Sequence, residues 1–345
     1  MMSDLPVFGI CGYSGSGKTT LIEAMIPGLK ARCLRVAVVK HDCHGLQIDC
    51  PGKDSDRFFN AGADVLSQGP GQAFFRIHGP QDRLSEMLPH LCRRYDLVLV
   101  EGHKTSPLPH KVWLLGDKET SPPREAGQLE HALARDADRL KIVSGWIQDH
   151  LAKIWRRVPL YAGILVGGKA SRMGGSKHLN QFGGRTWMEQ IVKTVAPFVS
   201  EVICAGKNRL PESLQGLPAI PDAPGVPGPL AGMLSAMRWN PWASWLFVAC
   251  DMPAISEAAL HWLLAEPRPG IWATLPRLEK GNGVEPLLAH YDFRSGALLE
   301  FCRCPADIVR WPQVATPVVP AELEKAWQNI NTPEDLVALS SESRG

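Results

Sequence analysis

The run Val7-Phe8-Gly9-Ile10-Cys11 leads directly into Gly12-Tyr13-Ser14-Gly15-Ser16-Gly17-Lys18-Thr19-Thr20. A short apolar run without polar alternation reads as a strand buried on both faces of a parallel sheet. The stretch from Gly12 to Thr19 meets the pattern G-x-x-x-x-G-K-[ST] in full, with a strand before it and a helix after it, the context that makes it a phosphate-binding P-loop. Gly12, Gly15 and Gly17 let backbone N–H groups turn inward around phosphate oxygens. The helix N-terminus adds partial positive charge. Lys18 reaches the terminal phosphates and the Thr19 hydroxyl can hold Mg²⁺. Ser16 and Thr20 complete the residues expected to bind nucleotide here.

Outward from this loop, Thr19 to Leu29 reads as a helix with Leu21, Ile22, Met25, Ile26 and Leu29 inward. Arg35–Lys40, Asp96–Glu101 and Val112–Leu115 read as further strands, and the alternation implies a parallel α/β sheet. Asp96-Leu97-Val98-Leu99-Val100-Glu101 is apolar and ends in a carboxylate, at the edge where open α/β sheets bind ligands. Glu101 could orient Mg²⁺-bound water there. Asp49 to Ser55 is a polar loop that reads equally well as a plain turn. Glu130 to Trp155 has helical periodicity, Pro159 ends it, and the boundary between two domains, 1–157 and 158–345, is placed near Arg157.

A second glycine loop comes after a second strand, Tyr161–Val166: Leu165-Val166-Gly167-Gly168-Lys169-Ala170-Ser171-Arg172-Met173-Gly174-Gly175-Ser176-Lys177. Gly167 and Gly168 permit close approach of backbone to a triphosphate. Arg172 can fork onto phosphate oxygens and Lys177 can supply a point charge. Attack on an α-phosphate expels pyrophosphate, so cations must collect the leaving charge and a carboxylate must hold Mg²⁺. Asp251, directly after the apolar run Trp245–Cys250, is the candidate. Asp222, in the Pro/Gly-rich loop Pro218–Pro229, is another acid near the nucleotide. Further strands are expected at Glu201–Ala205, Ile271–Leu275, Pro286–His290 and Val314–Val319. Helices are expected at Trp187–Ala196, Leu230–Met237, Glu257–Leu264, Ser295–Cys302 and Pro333–Leu339. Trp239, Trp242 and Trp245 cluster; burial is the common reason for tryptophan and ring stacking on a ligand the alternative. His103, His110 and His261 read as surface or core histidines.

The 345 residues suffice for about two domains, and 37 basic against 35 acidic residues give no strong field for nucleic acid or an anionic membrane. No signal segment or membrane-length apolar run is apparent. Nine cysteines without a repeating framework favour reduced thiols and a cytoplasmic location. The cluster His41, Cys43, His44, Cys50 matches no common structural-zinc spacing well, and metal binding there stays open.

With Val39-Lys40-His41, His44-Gly45, Asp49 to Ser55 and Val100-Glu101-Gly102 downstream of the P-loop, residues 5–155 resemble the molybdopterin-guanine dinucleotide biosynthesis GTP-binding adaptor family. The resemblance, not the P-loop, implies GTP, because no guanine-reading N-K-x-D run is present. It also implies weak GTPase activity at most and assistance to a partner that makes the dinucleotide. Residues 160–342 resemble the molybdenum cofactor guanylyltransferase family. The marks are Gly167-Gly168, Ser171 to Gly174, Lys177, Pro227-Gly228-Pro229-Leu230-Ala231-Gly232-Met233, Cys250-Asp251-Met252-Pro253 and Asn329 to Glu334. By position, Leu165, Val166, Gly167 and Gly168 would bracket the guanine nucleotide, Lys177 would bind phosphate, Asp222 would contact nucleotide, Asp251 would hold Mg²⁺ and Asn331 would line the pterin side.

Val166 stands where that family usually has alanine, adding bulk beside the nucleotide, and Ser176 stands where an aspartate is common. A cytidylyltransferase sister family shares the scaffold, and the run Pro229 to Met233 favours guanine. Together these imply a P-loop NTPase fold fused to a Rossmann-like nucleotidyltransferase fold, each α/β and three-layered. The expected activity is transfer of GMP from Mg·GTP to molybdopterin or Mo-molybdopterin. Expected partners are molybdenum insertion proteins and apo-molybdoenzymes or their chaperones. A nucleotide-sugar transferase behind a P-loop NTPase, and a carrier that holds GTP and pterin without chemistry, remain as alternatives.

Overall fold

Val7–Cys11 forms β1, buried at every residue, and Lys18–Ala31 forms α1. In this computed structural model the described residues are 5–42, 48–79, 83–166, 179–182, 184–206, 210–279, 281 and 283–330. The chain divides into two compact units, residues 1–28 with 36–147, and residues 29–35 with 148–345.

In the first unit β2 (Val36–Lys40) and α2 (Asp54–Asn60) come after α1, then a hairpin of β3 (Val65–Gly69) and β4 (Gln72–Arg76). Next come α3 (Leu84–Cys92), β5 (Leu97–Glu101), β6 (His110–Leu114), β7 (His131–Leu133) and α4 (Arg139–Arg156); the division of units falls inside α4. The main sheet runs β2-β5-β1-β6-β7, and every pair in it is parallel. On α1, Leu21, Ile22, Met25 and Leu29 are buried and Ile26 half-buried, as periodicity predicts. The expected helix over Glu130–Trp155 begins too early. His131–Leu133 instead pairs with β6 and extends the sheet edge, so a tertiary pairing overrides the local period. The helix starts where Asp138 accepts from the Lys141 N–H at 3.2 Å, an N-cap.

The second unit contains β8 (Leu160–Leu165), the two-residue strands β9 (Gln181–Phe182) and β10 (Arg185–Thr186), α5 (Trp187–Val195), β11 (Glu201–Ala205) and β12 (Ala219–Ile220). Beyond them lie α6 (Pro229–Trp239), β13 (Ser244–Ala249), α7 (Glu257–Ala265), β14 (Ala273–Thr274), β15 (Ala289–Tyr291), α8 (Gly296–Leu299) and β16 (Val314–Ala315). Its sheet order is β12-β11-β8-β13-β15-β14-β16. β15 is antiparallel to both neighbours; the other pairs are parallel. One core packs α5 and α7 against Ala162 and Ile164. The other packs α6 against Leu165, Ile203 and Phe247. Alternate residues of β8 thus serve opposite faces, giving three layers.

Several expected elements are shorter. Leu288 has φ 68°, which an extended strand does not tolerate, so β15 begins only at Ala289. Pro317 has no N–H to give a ladder; β16 ends before it and pairing resumes as a single bridge between Arg277 and Val318. Ser295–Cys302 yields only the four-residue α8. The helix expected at Pro333–Leu339 lies outside the described residues. Among those described, no helix is long and apolar enough to cross a membrane.

Candidate functional sites

In both units the candidate residues lie at the C-terminal ends of parallel strands. In the first, the chain leaves β1 at Gly12 with φ 147°. A Cβ there would lie 2.5 Å from Ser16 Oγ and 2.6 Å from the Leu114 carbonyl oxygen, so only glycine lets the loop close this tightly. Ser16 is fully buried, and its Oγ has no hydrogen-bond partner among the described residues. Gly15 and Gly17 also have positive φ. Lys18 curls back and donates from Nζ to the Tyr13 carbonyl at 2.7 Å. Burial lowers its pKa, while Glu101 opposes the shift. Thr19 Oγ1 donates to Glu101 Oε1 at 2.8 Å, joining the first turn of α1 to the end of β5. Thr20 is exposed on the same turn. Gly12, Ser16, Lys18, Thr19 and Glu101, which the sequence pattern singles out, are brought together by the fold.

Pattern reading misses Arg139, at the start of α4. Its guanidinium donates to four backbone carbonyls: Ser16 at 2.7 Å, Leu115 at 2.6 Å, Leu133 at 3.0 Å and Ala134 at 2.8 Å. Arg139 therefore ties the loop to the carboxyl ends of β6 and β7. No local motif marks it, because its acceptors are backbone atoms scattered along the chain. Two histidines also belong beside this site. His103 comes directly after Glu101-Gly102 with φ 47°, and its ring lies 4.7 Å from that of His41. His41 N–H donates to the Glu101 carbonyl at 3.1 Å. The spacing Glu101-x-His103 could have signalled this. Within the cysteine–histidine cluster, Cys43 and His44 lie outside the described residues, and Cys50 is exposed. The polar loop serves structure: Asp49 accepts from Ser55 Oγ at 2.8 Å, and Asp49 and Asp56 both approach Arg76, at 3.5 Å and 3.0 Å.

In the second unit, β8 is the first strand, with β11 on one side and β13 on the other, so the strand order reverses beside it. Ligands of open α/β sheets bind at such a switch point. Leu165 accepts from Cys250 N–H at 3.3 Å, which fixes Asp251 next to the end of β8. Asp251 is half-buried, and its carbonyl accepts from Ile330 N–H at 2.9 Å. That bond brings the Asn329-Ile330 segment to the same edge.

On the other flank, Asp222 is exposed, and its Oδ1 would lie 3.4 Å from a Cβ placed on Gly232. The tighter constraint on Gly232 comes from the sheet, since that Cβ would lie 3.0 Å from Leu165 Cδ2 and 3.3 Å from Ala205 Cβ. Ser235 Oγ donates to the Pro221 carbonyl at 2.6 Å, pinning that loop. Burial, with Asp222 adding to it, pushes the Cys204 thiol up to about 12. Gly206 closes the turn after β11 at φ 115°, where a Cβ would meet the Val166 carbonyl oxygen at 2.7 Å.

Val166 is 1% exposed within the core of α5 and α7, and its N–H donates to the Ala205 carbonyl at 2.9 Å. Its extra bulk packs within that core. Gly167, Gly168, Arg172, Lys177 and Asn331 lie outside the described residues. The tryptophans sit at the other edge of the sheet. Trp245 is fully buried and stacks on Phe247, six positions before Asp251 and so about 20 Å away along an extended strand. Trp239 is half exposed, at the C-terminal end of α6. His261 is exposed against Phe198, and His110 pairs with Glu130 at 2.9 Å.

Two families match in tandem. Molybdopterin guanine dinucleotide synthesis protein B matches residues 7–154, and the MobA-like NTP transferase domain matches residues 162–304. A molybdopterin-guanine dinucleotide biosynthesis adapter protein of Haemophilus influenzae is 40% identical over 139 residues, covering 39% of this chain and 76% of that protein. A probable molybdenum cofactor guanylyltransferase of Pelotomaculum thermopropionicum is 31% identical over 187 residues, covering 50% of this chain and 88% of that protein. A molybdenum cofactor biosynthesis bifunctional protein of Synechocystis is 29% identical over 186 residues, covering 52% of this chain and 53% of the relative. The chain therefore belongs in its first part to the molybdopterin-guanine dinucleotide biosynthesis adapter family and in its second to the molybdenum cofactor guanylyltransferase family, a nucleotidyltransferase fused to an adapter.

Proposed function

We propose that the second unit transfers GMP from GTP to the terminal phosphate of molybdopterin or Mo-molybdopterin, releasing pyrophosphate and molybdopterin guanine dinucleotide. The first unit is a GTP-binding adapter that assists delivery. The observation that carries the reading is the placement of Asp251 at the switch point, tied through Cys250 to Leu165, the last residue of β8 before the second glycine loop. One bond forms, between a pterin phosphate oxygen and the α-phosphorus. One breaks, between the α-phosphorus and the bridging oxygen that leaves on pyrophosphate. Arg172 and Lys177 are assigned to the charge gathering on that leaving group. Leu165, Gly167 and Gly168 hold the nucleotide by backbone, Asp222 contacts it, and Asn331 faces the pterin.

The donors at each edge suit Mg²⁺, a hard cation that takes oxygen ligands. Asp251 would hold it in the second unit. In the first, Thr19 and Glu101 already lie 2.8 Å apart, beside the orphaned hydroxyl of Ser16. Mg²⁺ there would neutralise phosphate charge. The units divide inside α4, ahead of the boundary the sequence suggests near Arg157, and the proposed setting is the cytoplasm. The partners are molybdenum insertion proteins and apo-molybdoenzymes or their chaperones.

Incubation of the full chain with Mg·GTP and molybdopterin tests the reading. Pyrophosphate together with a dinucleotide on chromatography supports it. Products with CTP but not GTP indicate a cytidylyltransferase. GDP alone indicates an NTPase, and unchanged substrates a carrier.

A further inference from the structure

The second unit carries a half-open cavity of about 490 Å³ at the edge of its sheet opposite Asp251. Leu160 and Ser244, the first residues of β8 and β13, line it, as do His290 and Asp292 at the end of the antiparallel β15. Its floor is polar and deeply buried. His290 and Asp292 are each 8% exposed and Arg294 is 2% exposed. Asp292 and Arg294 satisfy one another: Nε donates to Oδ1 at 2.6 Å and the terminal nitrogen to Oδ2 at 2.9 Å. The rings of Phe293, Trp155 and Trp272 surround that guanidinium at 5.0, 5.5 and 5.7 Å. This pair therefore closes on itself and supports the floor.

His290 does not close. Among the described residues its ring has no hydrogen-bond partner, although buried polar groups are nearly always bonded. Burial lowers its pKa to about 4, with Asp292 opposing. At neutral pH it is uncharged, with one donor and one acceptor to offer. At the mouth, Arg156 and Arg268 are exposed, and among the described residues neither has a carboxylate partner. Leu160, Leu264 and Ile271 supply an apolar wall. Three guanidiniums against one carboxylate leave the cavity cationic.

We propose that this cavity binds a small organic anion, a carboxylate or phosphate monoester on a compact apolar body. The anion meets Arg156 and Arg268, the body lies on the apolar wall, and a polar atom reaches His290. The site lies at the start of β8, the end opposite Leu165.

Calorimetry on the full chain tests this with phenyl phosphate and benzoate as probes, and inorganic phosphate and benzyl alcohol as controls. At least one probe should bind with one site per chain, at least tenfold tighter than either control. Saturating Mg·GTP should leave that binding unchanged. Arg268→Glu, at an exposed position that folding tolerates, should weaken it at least tenfold. His290→Gln should weaken it severalfold, with circular dichroism confirming the fold. Absence of probe binding at millimolar concentration overturns the proposal. So does binding that Arg268→Glu and Arg156→Glu leave unchanged, and so does competition with GTP, which would place the probe in a nucleotide loop. Loss of guanylyl transfer activity alone bears on the proposed reaction, not on this cavity.

Discussion

The loop after β1 and the strand ends around β8 both lie at the carboxyl ends of parallel strands, but they are assembled in different ways. The first is one contiguous stretch, Gly12 to Thr20, held by two distant residues. Glu101 bonds to Thr19 and Arg139 bonds to the Ser16 carbonyl. The second draws Leu165, Asp222, Gly232 and Asp251 from separate elements, and backbone bonds between strands place them. A contiguous loop can bind phosphate by its own conformation. A dispersed site depends on the sheet, and so suits the placing of two substrates on either side of a strand end.

The sharpest way to break this comparison is Asp251→Ala. If Asp251 holds the metal for transfer, dinucleotide and pyrophosphate formation should fall by about 10³-fold or more, while circular dichroism stays unchanged. Only the side chain is removed; the Ile330 bond to its carbonyl survives. Unchanged pyrophosphate release would end the assignment.

Lys18→Ala comes next. Nucleotide binding to the first unit should weaken by about 100-fold, since a charge-assisted phosphate contact is lost. Transfer by the second unit should persist in a minimal assay with free molybdopterin, the defect emerging when cofactor must reach an apoenzyme. Calorimetry and chromatography on the same preparation separate the two effects. Loss of transfer in the minimal assay would make the P-loop part of the catalytic site.

The contrast also explains what could be read from the residues alone. The P-loop is legible because its function is local: glycines, lysine and threonine at fixed spacing between a strand and a helix. The position of Asp251 at the sheet edge is legible because an acid directly after a fully apolar strand is a one-dimensional signal. Arg139 is not, because hydrogen bonding to carbonyls leaves no mark on the acceptors' side chains. Gly232 is visible as a glycine, but its reason, the close approach of α6 to Leu165 and Ala205, exists only after α6 packs on β8 and β11. The early start assigned to α4 fails for the same cause: β7 is a strand through its neighbour β6, not its own period. The side-chain direction of Val166 is not legible, because a residue at a strand end can serve the core or a ligand, and here the side chain packs in the core.

Arg139→Lys sharpens the comparison at intermediate size. A lysine keeps the charge but cannot span four carbonyls. Nucleotide affinity of the first unit should drop by about tenfold through a loosened loop. Transfer in the second unit should not change, because no dispersed-site residue depends on Arg139. A structural readout accompanies this: amide exchange at Gly15 to Lys18 should quicken, and restored protection on adding Mg·GTP would confirm that the loop remains competent. Unaltered affinity would mean that the loop holds its shape without the clamp.

The smallest expected effect concerns acid. The second unit buries an imidazole that the first, among its described residues, does not match, so their stability should respond to pH differently. Both units hold carboxylates lowered by hydrogen bonds, Asp56 and Asp64 in the first and Glu189 and Asp307 in the second. Their contribution is present above the ordinary values, 3.8 for aspartate and 4.5 for glutamate, and is lost only as pH falls below them. In the second, His290 is neutral when folded down to about 4 but protonates near 6.5 when unfolded. The unfolded chain therefore takes up the extra proton between these values, and stability falls as pH drops from 6.5 toward 4, by up to about 3 kcal/mol. Glu285, raised by burial, acts in the opposite sense, because acid relieves its buried charge. Asp292, Arg294, Arg156 and Arg268 line the same cavity and are common to wild type and variant. Subtracting a His290→Gln variant isolates the histidine. The melting temperature of the full chain should decline more steeply in wild type than in His290→Gln between pH 6.5 and about 4.5, by several degrees. Parallel declines would show that His290 gains a proton in the folded state as readily as in the unfolded one, and the contrast between the two sheets would then rest on their nucleotide edges alone.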